Sequence, residues 1–81
     1  MDRLRAAFVE ALGLPPDASD AFVTELRYGA IKEWDSVGHM RLVALLEEAF
    51  GVMLETDDVI DLSSYTRAVE ILTKYGADLA A

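Results

Sequence analysis

The stretch WDSVGHMRLVALLEEAFGV, residues 34–52, decides the fold because it reads as one long helix with a signal at each end. Asp35 or Ser36 can cap its start, since either side-chain oxygen can accept a hydrogen bond from a first-turn N–H group. Gly51 directly follows Phe50 and can adopt the left-handed conformation that ends many helices. The pattern therefore predicts a helix from Ser36 to Phe50.

This helix has two apolar sides when its residues are placed about 100° apart. We assign one side to the core, and it holds Leu42, Val43, Leu45, Leu46, Ala49 and Phe50. The opposite side follows Ser36 and forms what we call the docking strip: Val37, Met40, Arg41, Ala44, Glu47 and Glu48. An apolar strip rimmed by charge is typical of a surface that binds a partner protein. Single exposed apolar residues are also common and need no partner, so both interpretations stay open here.

Helical periodicity continues on both sides of residues 34–52. A first helix from Asp2 to Leu12 is predicted, with Gly13 and the prolines after it as the stop, and its apolar face holds Leu4, Ala7, Phe8, Ala11 and Leu12. A last helix is predicted to begin at Ser63 or Ser64 and to end near Tyr75, with an apolar face of Tyr65, Ala68, Val69, Leu72 and Tyr75.

A short helix is predicted between these, starting at Thr56 as its cap. Asp57 and Asp58 favour the positive end of its dipole, and we expect Val59, Ile60 and Leu62 to pack inward. A calcium loop is an alternative for Asp57, Asp58 and Asp61, but the central Gly and terminal Glu of an EF-hand are missing. A helix start with solvated carboxylates is the interpretation we adopt, and Asp57 is a candidate addition to the docking surface.

The connection over residues 13–35 is long for a small domain, and such connections are usually functional or disordered. Its apolar residues predict an ordered loop pinned to the core, with a helical turn opened by Ser19 and Asp20 around residues 20–27; they are Leu14, Phe22, Val23, Leu26, Tyr28, Ile31 and Trp34. Trp34 is either an anchor of this loop or a docking aromatic, and we favour the anchor.

No segment alternates like a strand, so the prediction is an all-α bundle of three main helices and one short helix, with a long ordered loop between the first two. The 81 residues make one small domain, spanning residues 1–81.

The net charge of −8 argues against nucleic acid and anionic lipid surfaces as partners. There is no cysteine, no signal-peptide pattern and no apolar window long enough to span a membrane. We expect a cytoplasmic monomer.

Residues 34–52 resemble the attachment region of acyl carrier proteins. The Asp-Ser-Leu core of that family corresponds to Asp35, Ser36 and Val37, with Val where Leu is usual, and a helix ending in acidic residues, Phe and Gly follows in both. The resemblance extends through the turn at residues 56–58 and the last helix, and more weakly to the first helix, so it covers nearly the whole chain.

This resemblance implies that Ser36, supported by Asp35, receives 4′-phosphopantetheine from coenzyme A through a phosphopantetheinyl transferase. The terminal thiol of the arm then carries a biosynthetic intermediate as a thioester. The implied partners are an acyl- or aminoacyl-loading enzyme and a downstream synthase or transferase. The carrier itself performs no chemistry, and we expect substitutions of Val37, Met40 and Glu47 to weaken transfer to partners more than folding.

Gly38, His39 and Arg41 depart from the strongly acidic helix of fatty-acid carriers, and acidic residues return only at Glu47 and Glu48. The sequence of residues 34–39 resembles that of free-standing carriers of specialised pathways, such as polyketide and hybrid peptide pathways. A peptidyl or aminoacyl carrier of a nonribosomal-type pathway is one alternative, and an unmodified acidic helical adaptor is another. A hydrolase with His39 as the base of Ser36 is remote, because the Gly-x-Ser-x-Gly elbow is absent.

Overall fold

The computed structural model describes residues 2–77 and 79, which form five helices in the order α1 (Asp2–Leu12), α2 (Asp20–Thr24), α3 (Ser36–Phe50), α4 (Thr56–Asp61) and α5 (Tyr65–Lys74). Within these residues there is no strand, and the one extended pairing is an isolated antiparallel bridge between Arg27 and Ser64. The all-α prediction is confirmed. The predicted helix count is one too low, because the helical turn foreseen around residues 20–27 is a separate helix over Asp20–Thr24.

Most of the predicted helix ends are found where the sequence places them. The Asp35 side chain caps α3, Gly51 ends it with φ of 64°, and Ser64 caps α5. Thr56 is not the cap of α4: it is already helical, and Glu55 occupies the cap position without a side-chain hydrogen bond. The first turn of α4 therefore lacks the side-chain cap that the sequence predicted.

The core lies between α1, α3 and α5. The predicted face of α1 is entirely buried, as are Leu42, Val43 and Leu46 of α3, while Leu45, Ala49 and Phe50 are only partly buried. Ile71 of α5 is buried at 3% exposure, although the predicted face of that helix did not include it. None of the helices in residues 2–77 combines the length and the apolarity needed to cross a bilayer.

Three apolar residues that were expected to pack inward are exposed instead. Ile60 is 71% exposed because it lies about 200° around the helix from Asp58 and Leu62, the two buried residues at that end of the fold. On α2, Val23 takes the inward position, which leaves Phe22 43% exposed. Tyr28 is 47% exposed and places its ring edge-on against Trp34.

The connection over residues 13–35 is ordered and tied to the rest of the fold, as predicted. The N–H of Tyr28 donates to the carbonyl of Ser63 at 2.8 Å, and the N–H of Tyr65 donates to the carbonyl of Leu26 at 3.0 Å. These bonds join the connection to the segment between α4 and α5. Trp34 is fully buried and meets Phe8 edge-to-face with ring centroids 5.5 Å apart, so the anchor interpretation of Trp34 is confirmed.

Asp58 fastens α4 to the end of α5, and the expectation that it is solvated is wrong. Its carboxylate accepts from Lys74 Nζ and from the Tyr75 hydroxyl, each at 2.5 Å, and only 8% of its side chain is exposed. The Tyr75 oxygen in turn accepts from the N–H of Glu55 at 3.0 Å. The hydrogen bonds from Lys74 and Tyr75 lower the pKa of Asp58 below its ordinary value of 3.8, because they stabilise the ionised carboxylate.

Replacing Asp58 by Asn should lower the melting temperature near neutral pH, since the neutral amide loses the charge to which Lys74 and Tyr75 donate. A lowered pKa in the folded state means that the ionised carboxylate stabilises the fold above pH 3.8 and that this contribution disappears as the pH falls through the lower folded value. Thermal melts at several pH values should therefore show the gap between wild type and Asp58→Asn narrowing in acid.

Asp57→Asn is the matched control, because Asp57 occupies the same turn of α4 but is exposed. Its melting temperature should follow the wild type much more closely at every pH. A gap for Asp58→Asn that stayed constant into strong acid would contradict the assignment of this carboxylate as an ionised clamp.

Candidate functional site

Ser36 is the first residue of α3, and its side chain is exposed. Of the two capping candidates, Asp35 takes the role: its Oδ1 accepts from the N–H of Gly38 at 2.9 Å. Among the described residues, none hydrogen-bonds to the Ser36 hydroxyl. The helix start thus presents an exposed hydroxyl that the fold does not use as a cap.

Gly38 allows the loop before Ser36 to lie directly against the first turn of α3. A Cβ atom at this position would stand 2.1 Å from the carbonyl oxygen of Glu33 and 3.4 Å from Leu12 Cδ2. Such a contact with backbone is not relieved by moving a flexible side chain. The close packing of the Glu33 backbone against α3 therefore depends on a glycine at position 38. From the sequence alone, Gly38 was only a departure from the family pattern.

His39 joins the loop, α3 and α4 through its two ring nitrogens. Trp34 Nε1–H lies 3.0 Å from His39 Nδ1, and His39 Nε2 lies 2.8 Å from the carbonyl oxygen of Val59. Because an indole N–H only donates, Nδ1 must accept, and the proton of the neutral imidazole is on Nε2, which donates to Val59. The imidazole also stacks on the Trp34 ring with an angle of 18° between the planes.

These bonds define what His39 can do. Without His39 Nδ1, the buried indole N–H of Trp34 would lose its acceptor, which typically costs about 1–3 kcal/mol. Both ring nitrogens have protein partners, so His39 is not positioned as a base for Ser36 unless it leaves both bonds. His39 therefore serves as a contact between α3 and the long loop.

Most of the docking strip is exposed. Val37 is 67% and Met40 is 57% exposed, and Arg41, Ala44 and Glu48 are exposed as well. Glu47 differs: it is half-buried, and its Oε2 accepts from the N–H of Leu54 at 2.8 Å, so this carboxylate is partly engaged within the fold. The sequence could not reveal this bond, because it depends on how the chain turns after Gly51.

Further exposed groups flank this strip on α4 and the preceding turn. Asp57 is exposed, as expected of a docking residue, and Ile60 and Met53 are 71% and 83% exposed. Ile60 also lines a cavity of about 280 Å³ together with Tyr28, His39, Val59, Leu62 and Ser63. The sequence placed Ile60 in the core and gave Met53 no role.

The acidic residues of α4 are not arranged as a metal site. Asp58 is held by Lys74 and Tyr75, and Asp61 lies 3.8 Å from Arg67. In the part of the chain that the structure describes, no three His, Cys, Asp or Glu side chains converge closely enough to hold a metal ion. The buried carboxylate of Asp58 thus fastens α4 to the end of α5, and those of Asp57 and Asp61 lie at the surface.

Comparison with known proteins gives no match to this chain among family models, curated proteins or solved structures. The resemblance to acyl carriers therefore stays a prediction from the sequence, above all from residues 34–52.

Replacing Gly38 by Ala gives a direct test of the close contact before Ser36. Helix propensity alone predicts that Ala is better than Gly in a helix by about 1 kcal/mol. Because the new Cβ would stand 2.1 Å from the carbonyl oxygen of Glu33, we expect the opposite sign, a loss of about 1–3 kcal/mol in the free energy of unfolding. Urea unfolding measured by circular dichroism provides the value.

Glu48→Ala is the control, since it introduces Ala at an exposed position of the same helix. It should change the free energy of unfolding by no more than about 0.5 kcal/mol. A Gly38→Ala variant that unfolded at higher urea concentration than the wild type would mean that the loop does not press against α3.

Proposed function

We propose that this protein is an acyl-type carrier that holds a biosynthetic intermediate as a thioester on a 4′-phosphopantetheine arm attached to Ser36. The observation that carries the proposal is the exposed Ser36 hydroxyl at the first position of a 15-residue helix, beside an aspartate that performs the capping. A plain capping serine would have its oxygen engaged with the first turn of the helix. Ser36 instead combines exposure with a fixed backbone.

The start of α3 fits a phosphodiester on Ser36. First-turn N–H groups and the positive end of the helix dipole favour negative charge there, and α3 has no acidic residue within its first turn. Loading forms a bond from Ser36 Oγ to phosphorus, breaks the pyrophosphate bond of coenzyme A, releases adenosine 3′,5′-bisphosphate and leaves the hydroxyl proton with the transferase. Asp35 keeps Ser36 in place through its bond to Gly38.

The arm supplies a terminal thiol, which a chain without cysteine cannot provide itself. The protein contributes position: it keeps the cargo at high effective concentration near each partner enzyme. Gly38 and His39 have structural tasks at the start of α3, and Arg41 adds a positive charge to the docking strip. This supports a carrier of a specialised acyl, polyketide or aminoacyl pathway over a carrier of the strongly acidic fatty-acid type.

Intact-mass spectrometry tests the attachment site. The folded chain is incubated with coenzyme A, Mg²⁺ and a phosphopantetheinyl transferase of broad specificity. The wild type should gain the mass of one phosphopantetheine group, and Ser36→Ala should gain none. Because Ser36 is exposed and no described residue hydrogen-bonds to its hydroxyl, the variant should keep the helical content of the wild type by circular dichroism.

Ser63→Ala is the matched control, since Ser63 is also exposed but does not start a helix. It should load like the wild type. A folded wild type that gained no mass, or a Ser36→Ala variant that still gained it, would overturn the carrier proposal. A protein that never loads but binds a basic partner would instead be the acidic adaptor.

The docking strip is tested through the same loading reaction. Val37→Ala and Met40→Ala should each lower kcat/KM of the transferase by about fivefold, the effect typical of a truncated contact at the centre of an interface. Their melting temperatures should change little, because both side chains are largely exposed. Loading rates and thermal melts are measured on the same preparations.

Glu47→Gln should behave in the opposite way. Its carboxylate accepts a charge-assisted bond from the N–H of Leu54, so the variant should melt at lower temperature while loading at nearly the wild-type rate. Melting temperatures of Val37→Ala and Met40→Ala that fell in parallel with loading would indicate a structural role for the strip and would argue against docking there.

A further inference from the structure

One imidazole connects three separate parts of the fold at the start of α3. Trp34 belongs to the loop, His39 to α3 and Val59 to α4, and the hydrogen bonds that join them are 3.0 Å and 2.8 Å long. We propose that neutral His39 is a latch that holds α4 against this loop and that protonation of Nδ1 releases it. The latch does not rest on the proposed function, because it requires neither Ser36 nor a bound arm.

Protonation removes the acceptor on which the latch depends. An imidazolium carries N–H groups on both nitrogens and has no acceptor left, whereas the Trp34 indole can only donate. The two N–H groups would then face each other across 3.0 Å. Trp34 is fully buried, so its indole cannot turn to water, but His39 is half-buried and can. The ring that moves away from Trp34 is also the one that holds the Val59 carbonyl.

α4 is the element that yields when this ring moves. It has six residues and no side-chain cap, and its buried residue is the charged Asp58. Asp58 still holds it to Lys74 and Tyr75, so α4 shifts at its Val59 side while it stays fastened to the end of α5. His39, Val59 and Ile60 all line the cavity of about 280 Å³ at this junction, and the shift therefore opens that cavity.

His39 is the only histidine of the chain, and imidazole is the side chain that ordinarily changes charge between about pH 5 and pH 8. The ionisable groups of α4 are Asp57, Asp58 and Asp61, those of the loop segment before α3 are Arg27, Tyr28, Lys32, Glu33 and Asp35, and α3 itself carries Arg41, Glu47 and Glu48. Phenols and carboxylates ordinarily keep their charge across this range. Because Lys74 and Tyr75 lower the pKa of Asp58, this carboxylate stays ionised when an imidazole gains a proton, so protonation of His39 would act on one attachment of α4 and leave the other in place.

Nuclear magnetic resonance of the full chain tests the latch. At about pH 8, a long-range ¹H–¹⁵N correlation spectrum of the imidazole should show the proton on Nε2. As the pH is lowered to about 5, the indole N–H resonance of Trp34 should shift with the same midpoint as the imidazole. Amide exchange in α4, corrected for its intrinsic pH dependence, should rise about tenfold or more at that midpoint, while exchange in α1 should not.

His39→Gln is the decisive variant, since a glutamine amide can accept from Trp34 and donate to Val59 but does not titrate. It should fold and show no step in α4 exchange between about pH 8 and pH 5. Asp58→Asn should keep the step, because it weakens the other attachment. A proton on Nδ1 at high pH, α4 exchange independent of the imidazole titration, or a step that persists in His39→Gln would each overturn the latch. If His39→Gln does not fold, the wild-type spectra still decide.

None of these measurements uses coenzyme A or a transferase. A chain that fails to load at Ser36 can still show the latch, and a loaded chain without the pH step would refute the latch alone. Failure of the carrier proposal and failure of the latch are therefore distinguishable.

Discussion

The burial of Trp34 is the constraint on which the rest of the structure depends. The connection between α1 and α3 has to cross the bundle, and its polar backbone is tolerable there only if it is fixed. The Trp34 ring fixes it by packing against Phe8 of α1, and its N–H bonds to His39 of α3. Because Trp34 lies directly before Asp35, the cap of α3, the side chain that closes the core also fixes the chain just before the start of this helix.

The helices differ in the kind of contact that holds them in the fold. α1, α3 and α5 are held mainly by apolar packing, whereas α4 is held largely by hydrogen bonds. α1 and α5 bury continuous apolar faces, and α3 buries one of its two sides, so these three resist displacement. α4 buries a carboxylate in place of an apolar stripe and depends on the hydrogen bonds that Lys74 and Tyr75 donate to Asp58 and that His39 donates to the Val59 carbonyl. Polar attachments respond to protonation in a way that apolar burial does not, so sensitivity to pH is concentrated in α4.

Periodicity and end signals in the sequence were enough to predict the long helices: the apolar faces of α1 and α5 repeat regularly, Gly51 marks the end of α3, and Ser64 marks the start of α5. They failed where a residue's environment depends on a distant part of the chain. The burial of Asp58 is determined by Lys74 and Tyr75, and the place of Glu47 by Leu54. At the candidate site, residue types were enough to indicate Ser36. Which of Asp35 and Ser36 caps the helix, and which two groups bond to His39, could be seen only in the three-dimensional structure.

The helix that follows Ser36 combines two tasks that usually compete. Its inward side must pack against α1, and Gly38 and His39 on its first turns are committed to the loop and to α4. On its outward side, Arg41 and Glu47 make hydrogen bonds to Ala11 and Leu54, while Val37 and Met40 make no such bond and stay largely exposed. The two committed residues lie between the two exposed ones along the chain, so the first turns of α3 carry both the contacts that fix the loop and α4 and the apolar side chains that face outward.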